Sequence, residues 1–376
     1  MSKKYKHLFD RVISDDNIER AYRNTQKGRL KYHVDSLVFT NDVTVNLKKL
    51  KQSIFDSTYI PGEYYRFKVY DPKERTIDTP AYIDKIVQHM INNVLAPIYK
   101  NCYIYDSYSC IVGKGTHAAV LRISQYLKLA RNYKDPYVVR ADIRKFFYTI
   151  DRNILKSIIA RKITCTRTLH LIYKIIDSSP EPTGLPLGCT TSQLFSNIYL
   201  NQLDQYIKRN LKAKYYVRYA DDMIIIVDGK EKAKDCLLKI RVFLKEKLNL
   251  ETNEKKSMCS PLRNGVNMVG FYMKATHRKL RRRSKKRIKN KIKKIKRLIE
   301  SGSMKVDKAK QIINSWYGHA RYSDSFNFIQ YLLKRFKYLG LRKKKLYIKK
   351  YKLCSKDQDK QQAICQSGKE QQPPTI

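Results

Sequence analysis

Apolar positions along the chain follow two periods, and the changes of period mark its elements. Behind Thr79-Pro80, the residues Ile83, Ile86, Val87, Met90 and Val94 recur at three- and four-residue spacing. They predict a helix to about Leu95, with Pro in a first turn where its missing N–H is tolerated. The same period predicts helices over 117–132, from about Thr191 to Lys212, and from Ala233 to Leu248. Strands read differently. Tyr64 to Tyr70 has β-rich composition followed by the turn signal Asp71-Pro72-Lys73, so residues 55–80 predict a strand pair. Tyr137-Val138-Val139-Arg140-Ala141-Asp142-Ile143 predicts a strand that delivers an acid at its end, and Tyr215 to Val227 predicts a hairpin. Pro180, Pro182 and Pro186 mark a loop after a helical stretch to about Ser178. The first fifty residues predict helices in a loose lead-in. From Arg278 to Arg297 most positions are Lys or Arg, and Ile288, Ile292, Ile295 and Ile299 recur at helical spacing. That spacing predicts a helix with one apolar and one cationic face, stopped near Gly302 and followed by a second helix carrying Ala309, Ile312, Ile313 and Trp316. No internal repeat is visible.

Composition narrows the class. A chain of 376 residues with 42% hydrophobic positions can build two or three domains with real cores, which excludes wholesale disorder. The formal net charge of +46 is the more telling quantity. Such an excess repels itself unless an anionic partner neutralises it, and a phosphate backbone is the fitting partner. An anionic membrane is the competing partner, but the basic stretches lack the large aromatic faces that seat a helix in an interface. The eight cysteines form no C-x-x-C pair and none lies near a His at zinc-ligand spacing. The basic start Met1-Ser2-Lys3-Lys4-Tyr5-Lys6 leads into no apolar stretch, and the longest apolar strand core, Met223 to Val227, is far too short to cross a bilayer. The expectation is free thiols in a reducing cytoplasm.

The candidate chemistry lies in carboxylates. Asp221-Asp222 interrupts the strand-like runs Tyr215–Tyr219 and Met223–Val227. Two neighbouring carboxylates raise each other's pKa unless a cation lies between them. If the Asp142 strand lies beside this hairpin, three carboxylates converge, and hard oxygen donors of that kind hold two Mg²⁺ ions for phosphoryl transfer.

At this point the sequence resembles a known family. Tyr219-Ala220-Asp221-Asp222 resembles the Y-x-D-D box of reverse transcriptases, and Ala141-Asp142-Ile143-x-x-Phe146-Phe147 resembles their first carboxylate motif. The likeness extends over roughly residues 50–335. It implies an α+β right-hand polymerase: an N-terminal lead and fingers over 1–135, an antiparallel-sheet palm over 136–276, a basic helical thumb over 277–350, and a disordered tail over 351–376. It implies that Asp142, Asp221 and Asp222 are catalytic, that they and the carbonyl of Ile143 face two Mg²⁺ ions (Mn²⁺ as a substitute), and that Phe147 is a steric gate against the ribonucleotide 2′-hydroxyl. Lys68 and Arg75, with Lys73 as an alternative, would clamp the triphosphate. Lys256 would protonate pyrophosphate. Met268 to Tyr272 resembles a primer-grip hairpin and Trp316 to Ala320 a thumb segment. Arg281, Arg282, Arg283, Lys285, Lys286 and Arg287 would lie along the template–primer duplex, whose backbone and shape are read without base contacts.

The segment Gly184 to Leu200 refines the resemblance. Group II intron enzymes read Q-G-x-x-x-S-P where this chain has Leu187-Gly188-x-x-x-Ser192-Gln193. That pattern, with Gly113-Lys114-Gly115-Thr116-His117, is similar to reverse transcriptases of diversity-generating retroelements. The resemblance implies error-prone copying at template adenines, because Leu187 cannot make the hydrogen bond that a Gln makes to the incoming nucleotide. It also implies a template RNA, dNTPs and a small basic helical accessory protein (the accessory variability determinant) as partners. The length is expected to leave no room for an RNase H or endonuclease domain. An intron-type or antiphage defence reverse transcriptase, and a non-catalytic RNA-binding scaffold, are the alternatives.

Overall fold

A computed structural model describes residues 3–27, 34–70 and 74–334. The expected disordered tail and Lys73 lie outside the described residues. The chain divides into two compact units, Met1–Lys285 and Lys286–Ile376.

The first unit opens with helices α1 (Phe9–Val12), α2 (Asp15–Thr25), α3 (Val34–Thr40) and α4 (Val43–Phe55). They are packed, not a loose lead-in. Ser14 caps α2 by accepting the Asn17 N–H, and Asn17 Nδ2 donates to the carbonyls of Val12 and Met90 at 2.8 and 3.1 Å. Leu8, Phe9, Val12, Ile18 and Ala21 are thereby buried with Ile86, Val87 and Met90. The exposed hairpin β1 (Tyr65–Val69) and β2 (Arg75–Thr79) follows. Arg66 ties it down, donating to Asp78 at 2.6 Å and to Glu181 at 2.5 Å. Helix α5 (Tyr82–Lys100) runs one turn past the expected end, because Pro97 is tolerated in its last turns. Helix α6 (Thr116–Leu129) leads into the central sheet.

That sheet contains β3 (Pro136–Asp142), β4 (Tyr215–Tyr219), β5 (Asp222–Asp228) and β6 (Met258–Pro261) in the order β4-β5-β3-β6, with every pairing antiparallel. The run Met223–Ile226 is buried without alternation, as a central strand covered on both faces should be. Helices α7 (Phe146–Thr149), α8 (Arg152–Ala160), α9 (Thr166–Asp177), α10 (Thr190–Arg209) and α11 (Lys230–Leu248) complete the shell. Phe195, Ile198 and Tyr199 of α10 and Ile240 and Leu244 of α11 share one core with Val139, Ala141, Met223 and Ile225 of the sheet. A three-stranded sheet, β7 (Val266–Met268), β8 (Phe271–Met273) and β9 (Arg278–Leu280), closes the unit. Here the basic run departs from expectation. Arg278–Leu280 pairs with β8 as a strand that buries Leu280, and the helix α12 (Arg282–Glu300) starts only at Arg282.

The second unit packs Ile288, Ile292 and Ile295 of α12 against Ala309 and Ile313 of α13 (Val306–Ala320) and Leu332 of α14 (Phe326–Lys334). Trp316 and Phe328 meet edge to face at 6.5 Å. Among the described residues no helix is long and apolar enough to cross a membrane.

Candidate active site

Strand register assembles the acids. Asp142, the last residue of β3, pairs across the ladder with Asp222, the first residue of β5. Tyr219 pairs with Asp222, so Ala220 and Asp221 form the two-residue turn of the β4–β5 hairpin. Ala220 has φ of +54°, the left-handed region that such a turn needs and that a residue with a Cβ enters only with strain. The three carboxylates therefore lie at the same edge of the sheet.

Each acid has its own surroundings. Asp142 is buried, and both its oxygens accept from Lys256 Nζ, at 2.8 and 2.7 Å. Its backbone is fixed by the following loop: Ser257 Oγ accepts from the Asp142 N–H at 3.2 Å, and the Asn253 N–H donates to its carbonyl at 2.7 Å. Ile143 pairs with Thr252 in an isolated bridge that continues this grip. Asp222 accepts from Arg140 at 3.1 Å. Burial, then the neighbouring Asp142 and Asp222 charges, push Asp221 up to about 6. Burial also raises Asp142, with Lys256 opposing and Asp222 reinforcing the shift. Hard carboxylate oxygens held at one edge suit divalent cations, and a cation there would relieve the mutual repulsion. Among the described residues no three His, Cys, Asp or Glu side chains are gathered closely enough to hold an ion as they stand. For the acids to serve as ligands, Asp142 must exchange the Lys256 ammonium for the ion.

Beside the turn lies a cavity of about 160 Å³ lined by, among others, Ser109, Phe147, Leu187, Gly188, Gln193 and Ala220. Two glycines allow close backbone approaches beside it. At Gly184 (φ +79°) a Cβ would fall 2.5 Å from the Phe147 carbonyl, so only glycine lets the proline-rich loop lie on α7. At Gly188 (φ +123°) a Cβ would fall 2.7 Å from the Asp78 carbonyl, and beside it the Asp78 N–H donates to the Leu187 carbonyl at 2.8 Å. That contact docks the β1–β2 hairpin on the cavity rim.

The structure thus gathers Asp142, Ile143, Asp221, Asp222 and Lys256 in one group and Phe147, Leu187, Gly188 and Gln193 in another. Lys68 and Arg75 lie on the exposed hairpin and do not line the cavity; Lys68 pairs with Glu74 at 2.8 Å. Arg281 donates to the Phe271 carbonyl at 3.3 Å, within the three-stranded sheet region, while Arg282, Arg283, Lys286 and Arg287 are exposed on α12 and Lys285 is half-buried. Sequence reasoning did not single out the partners Arg140 and Ser257, nor the cavity residues Ser109 and Asn197. The alternation of β3 could have marked Arg140 as sharing a face with Asp142; nothing local marks the others.

The chain is similar in sequence to known proteins. The chain is 26% identical over 287 residues to Protein YkfC of Escherichia coli, spanning 65% of this chain and 73% of that protein. It is 24% identical over 299 residues to the group II intron-encoded protein LtrA of Lactococcus lactis, spanning 60% of this chain and 49% of that protein. It is 23% identical over 336 residues to a putative COX1/OXI3 intron 2 protein of Saccharomyces cerevisiae, covering 70% of this chain and 38% of that protein. The chain therefore spans less than half the length of these two intron proteins. Among solved structures, apo telomerase from Candida tropicalis aligns at 14% identity with a TM-score of 0.44, covering 61% of this chain and 59% of that one. The mixed helices and antiparallel sheets suit the α+β right-hand polymerase class of the family that residues 69–273 match. Residues 69–273, more than half of the chain, match the reverse transcriptase (RNA-dependent DNA polymerase) family, and the chain belongs to that family.

Proposed function

We propose that this protein copies a template RNA into cDNA by two-metal nucleotidyl transfer, with an error-prone active site of the diversity-generating retroelement type. The observation that carries the chemistry is the register of β3 against β5, which puts Asp142 opposite Asp222 with Asp221 in the adjoining turn. Asp142 and Asp221, with Asp222 and the Ile143 carbonyl, would hold two Mg²⁺ ions, or Mn²⁺ in their place. When bound, the ions lower the pKa of the primer 3′-hydroxyl and neutralise charge on the departing pyrophosphate. The 3′-oxygen forms its bond to the α-phosphorus as the α–β phosphoanhydride bond breaks. Lys256, released from Asp142, would give a proton to the pyrophosphate. Lys68 and Arg75 would meet the triphosphate by movement of the β1–β2 hairpin. Residues 1–135, 136–276 and 277–350 serve as fingers, palm and thumb, and the cations from Arg281 to Arg287 follow the duplex backbone.

Phe147 lines the cavity next to the turn, which supports its role as a gate on the sugar. Phe147→Ala should raise ribonucleotide incorporation relative to dNTPs by about a hundredfold, read as the ratio of kcat/KM values. An unchanged ratio would remove Phe147 from that role. Leu187 lines the same cavity and offers no hydrogen bond through its side chain. Leu187→Gln should lower misincorporation at template adenines by up to about tenfold, the worth of one hydrogen bond, measured by sequencing the cDNA.

A second reading, an intron-type enzyme, is favoured by the likeness to LtrA. Primer extension on an RNA template with dNTPs and Mg²⁺, alone and with a small basic helical accessory protein, separates the two. Errors concentrated at template adenines support the retroelement type. An even error spectrum supports the intron type, and no extension under either condition rejects the polymerase.

A further inference from the structure

Three residues before Asp221, Arg218 is wholly buried, and so is its partner Asp204 on α10. Two edges of the guanidinium have different tasks. Nε and Nη2 donate to the Asp204 carboxylate at 2.7–3.0 Å, and Tyr216 completes that carboxylate with a hydroxyl at 2.6 Å. Nη1 takes no part in the ion pair. It donates at 3.1 Å to the carbonyl of Ala220, the strained turn residue, and at 3.1 Å to Asn197 Oδ1. Asn197 in turn donates from Nδ2 to the Ser109 carbonyl at 2.9 Å. The backbone of Arg218 is tied to the same neighbouring segment, donating to the Asp106 carbonyl and accepting from the Tyr108 N–H, both at 3.0 Å. Ser109, Asn197 and Ala220 all line the cavity.

Burial obliges Nη1 to find acceptors, and those it finds join the turn carbonyl of Ala220 and, through Asn197, the Ser109 carbonyl to one guanidinium. We propose that Arg218, oriented by Asp204, is a positioning residue that locks the left-handed turn and the Ser109 side of the cavity into one rigid piece, so that Asp221 and the incoming nucleotide are held in mutual register. Its place in catalysis rests on the polymerase reading above; its hold on the turn does not.

The test replaces the hub by apolar groups, Asp204→Leu/Tyr216→Phe/Arg218→Met, and separately shortens the fork with Arg218→Lys. The lysine can keep the ion pair but cannot span Asp204, Asn197 and Ala220 together. Melting temperature, duplex affinity, kcat, KM and amide hydrogen exchange at Ala220–Asp222 are measured in full-length protein. Both variants should fold and bind duplex like wild type. Their kcat should fall by about a hundredfold, the scale set by misplacement of a reacting group by about an ångström, and the turn amides should exchange faster. A folded variant with kcat within about threefold of wild type and unchanged turn exchange overturns the proposal. Should the triple variant fail to fold, Arg218→Lys carries the same decision. If wild type itself does not polymerise, the polymerase reading falls, and turn exchange alone decides whether Arg218 holds the turn.

Discussion

Asp221→Asn should lower primer extension by at least about a thousandfold while leaving the fold and duplex binding intact, because in the proposed two-metal chemistry several kcal/mol of transition-state stabilisation would depend on a charged oxygen at this turn. The substitution is nearly isosteric and removes a charge that the fold itself disfavours. Asp221 in the folded chain titrates at about 6, above its ordinary 3.8. The sign follows directly: the fold favours the neutral form, so a stability cost appears as pH rises from 3.8 towards 6 and is complete above that. Asp221→Asn should therefore melt at or above the wild-type temperature at neutral pH. Wild type should gain stability on adding Mg²⁺, through the linkage that any ligand of the native state obeys, and the variant should gain much less. Differential scanning fluorimetry checks both statements alongside extension. A variant that extends primers within about tenfold of wild type would remove Asp221 from the chemistry.

The largest loss of stability should come from Asp204→Ala. It strands the Arg218 guanidinium in a site with no exposure and takes away the acceptor of the Tyr216 hydroxyl. Removing one partner of a buried pair costs about 3–5 kcal/mol, against about 1 kcal/mol or less for an exposed pair. The matched control is Lys51→Ala, which breaks the exposed Lys51–Asp15 contact of 2.7 Å. For a unit of this size the Asp204 variant should melt roughly 10 °C lower and the control within about 2 °C of wild type. Equal shifts in the two would show that the Asp204–Arg218 pair is not the anchor its burial implies.

The strands of the central sheet were legible where a hydrophobic run ended on an acid. Met223–Ile226 read as a strand, with the acids expected between two strands; the register puts Asp221 in the turn and Asp222 at the start of β5. Of the three short strands after residue 265, the pair β7–β8 was visible only through the resemblance of Met268 to Tyr272 to a hairpin, since three residues carry no usable period, and β9 was missed. Arg278–Leu280 was absorbed into the basic helix because charge has no period of its own; pairing with β8 and burial of Leu280 decide its state. Within the site, the acids were visible because adjacent carboxylates are costly and so informative. Lys256 on Asp142 and Arg218 on Asp204 are contacts between distant segments. Before folding, Arg218 is one of 79 Lys and Arg residues, with nothing to set it apart from a solvated cation.

Because Asp142 and Asp222 meet as a cross-strand pair, their encounter depends on counting residues as much as on which residues are present. A single insertion inside β3 or β5 would turn the residues on one side of it to the opposite face relative to those on the other, sending one carboxylate away from its partner without altering either. Length variation in descendants of this chain should therefore be purged from 136–142 and 222–228 as severely as loss of the acids.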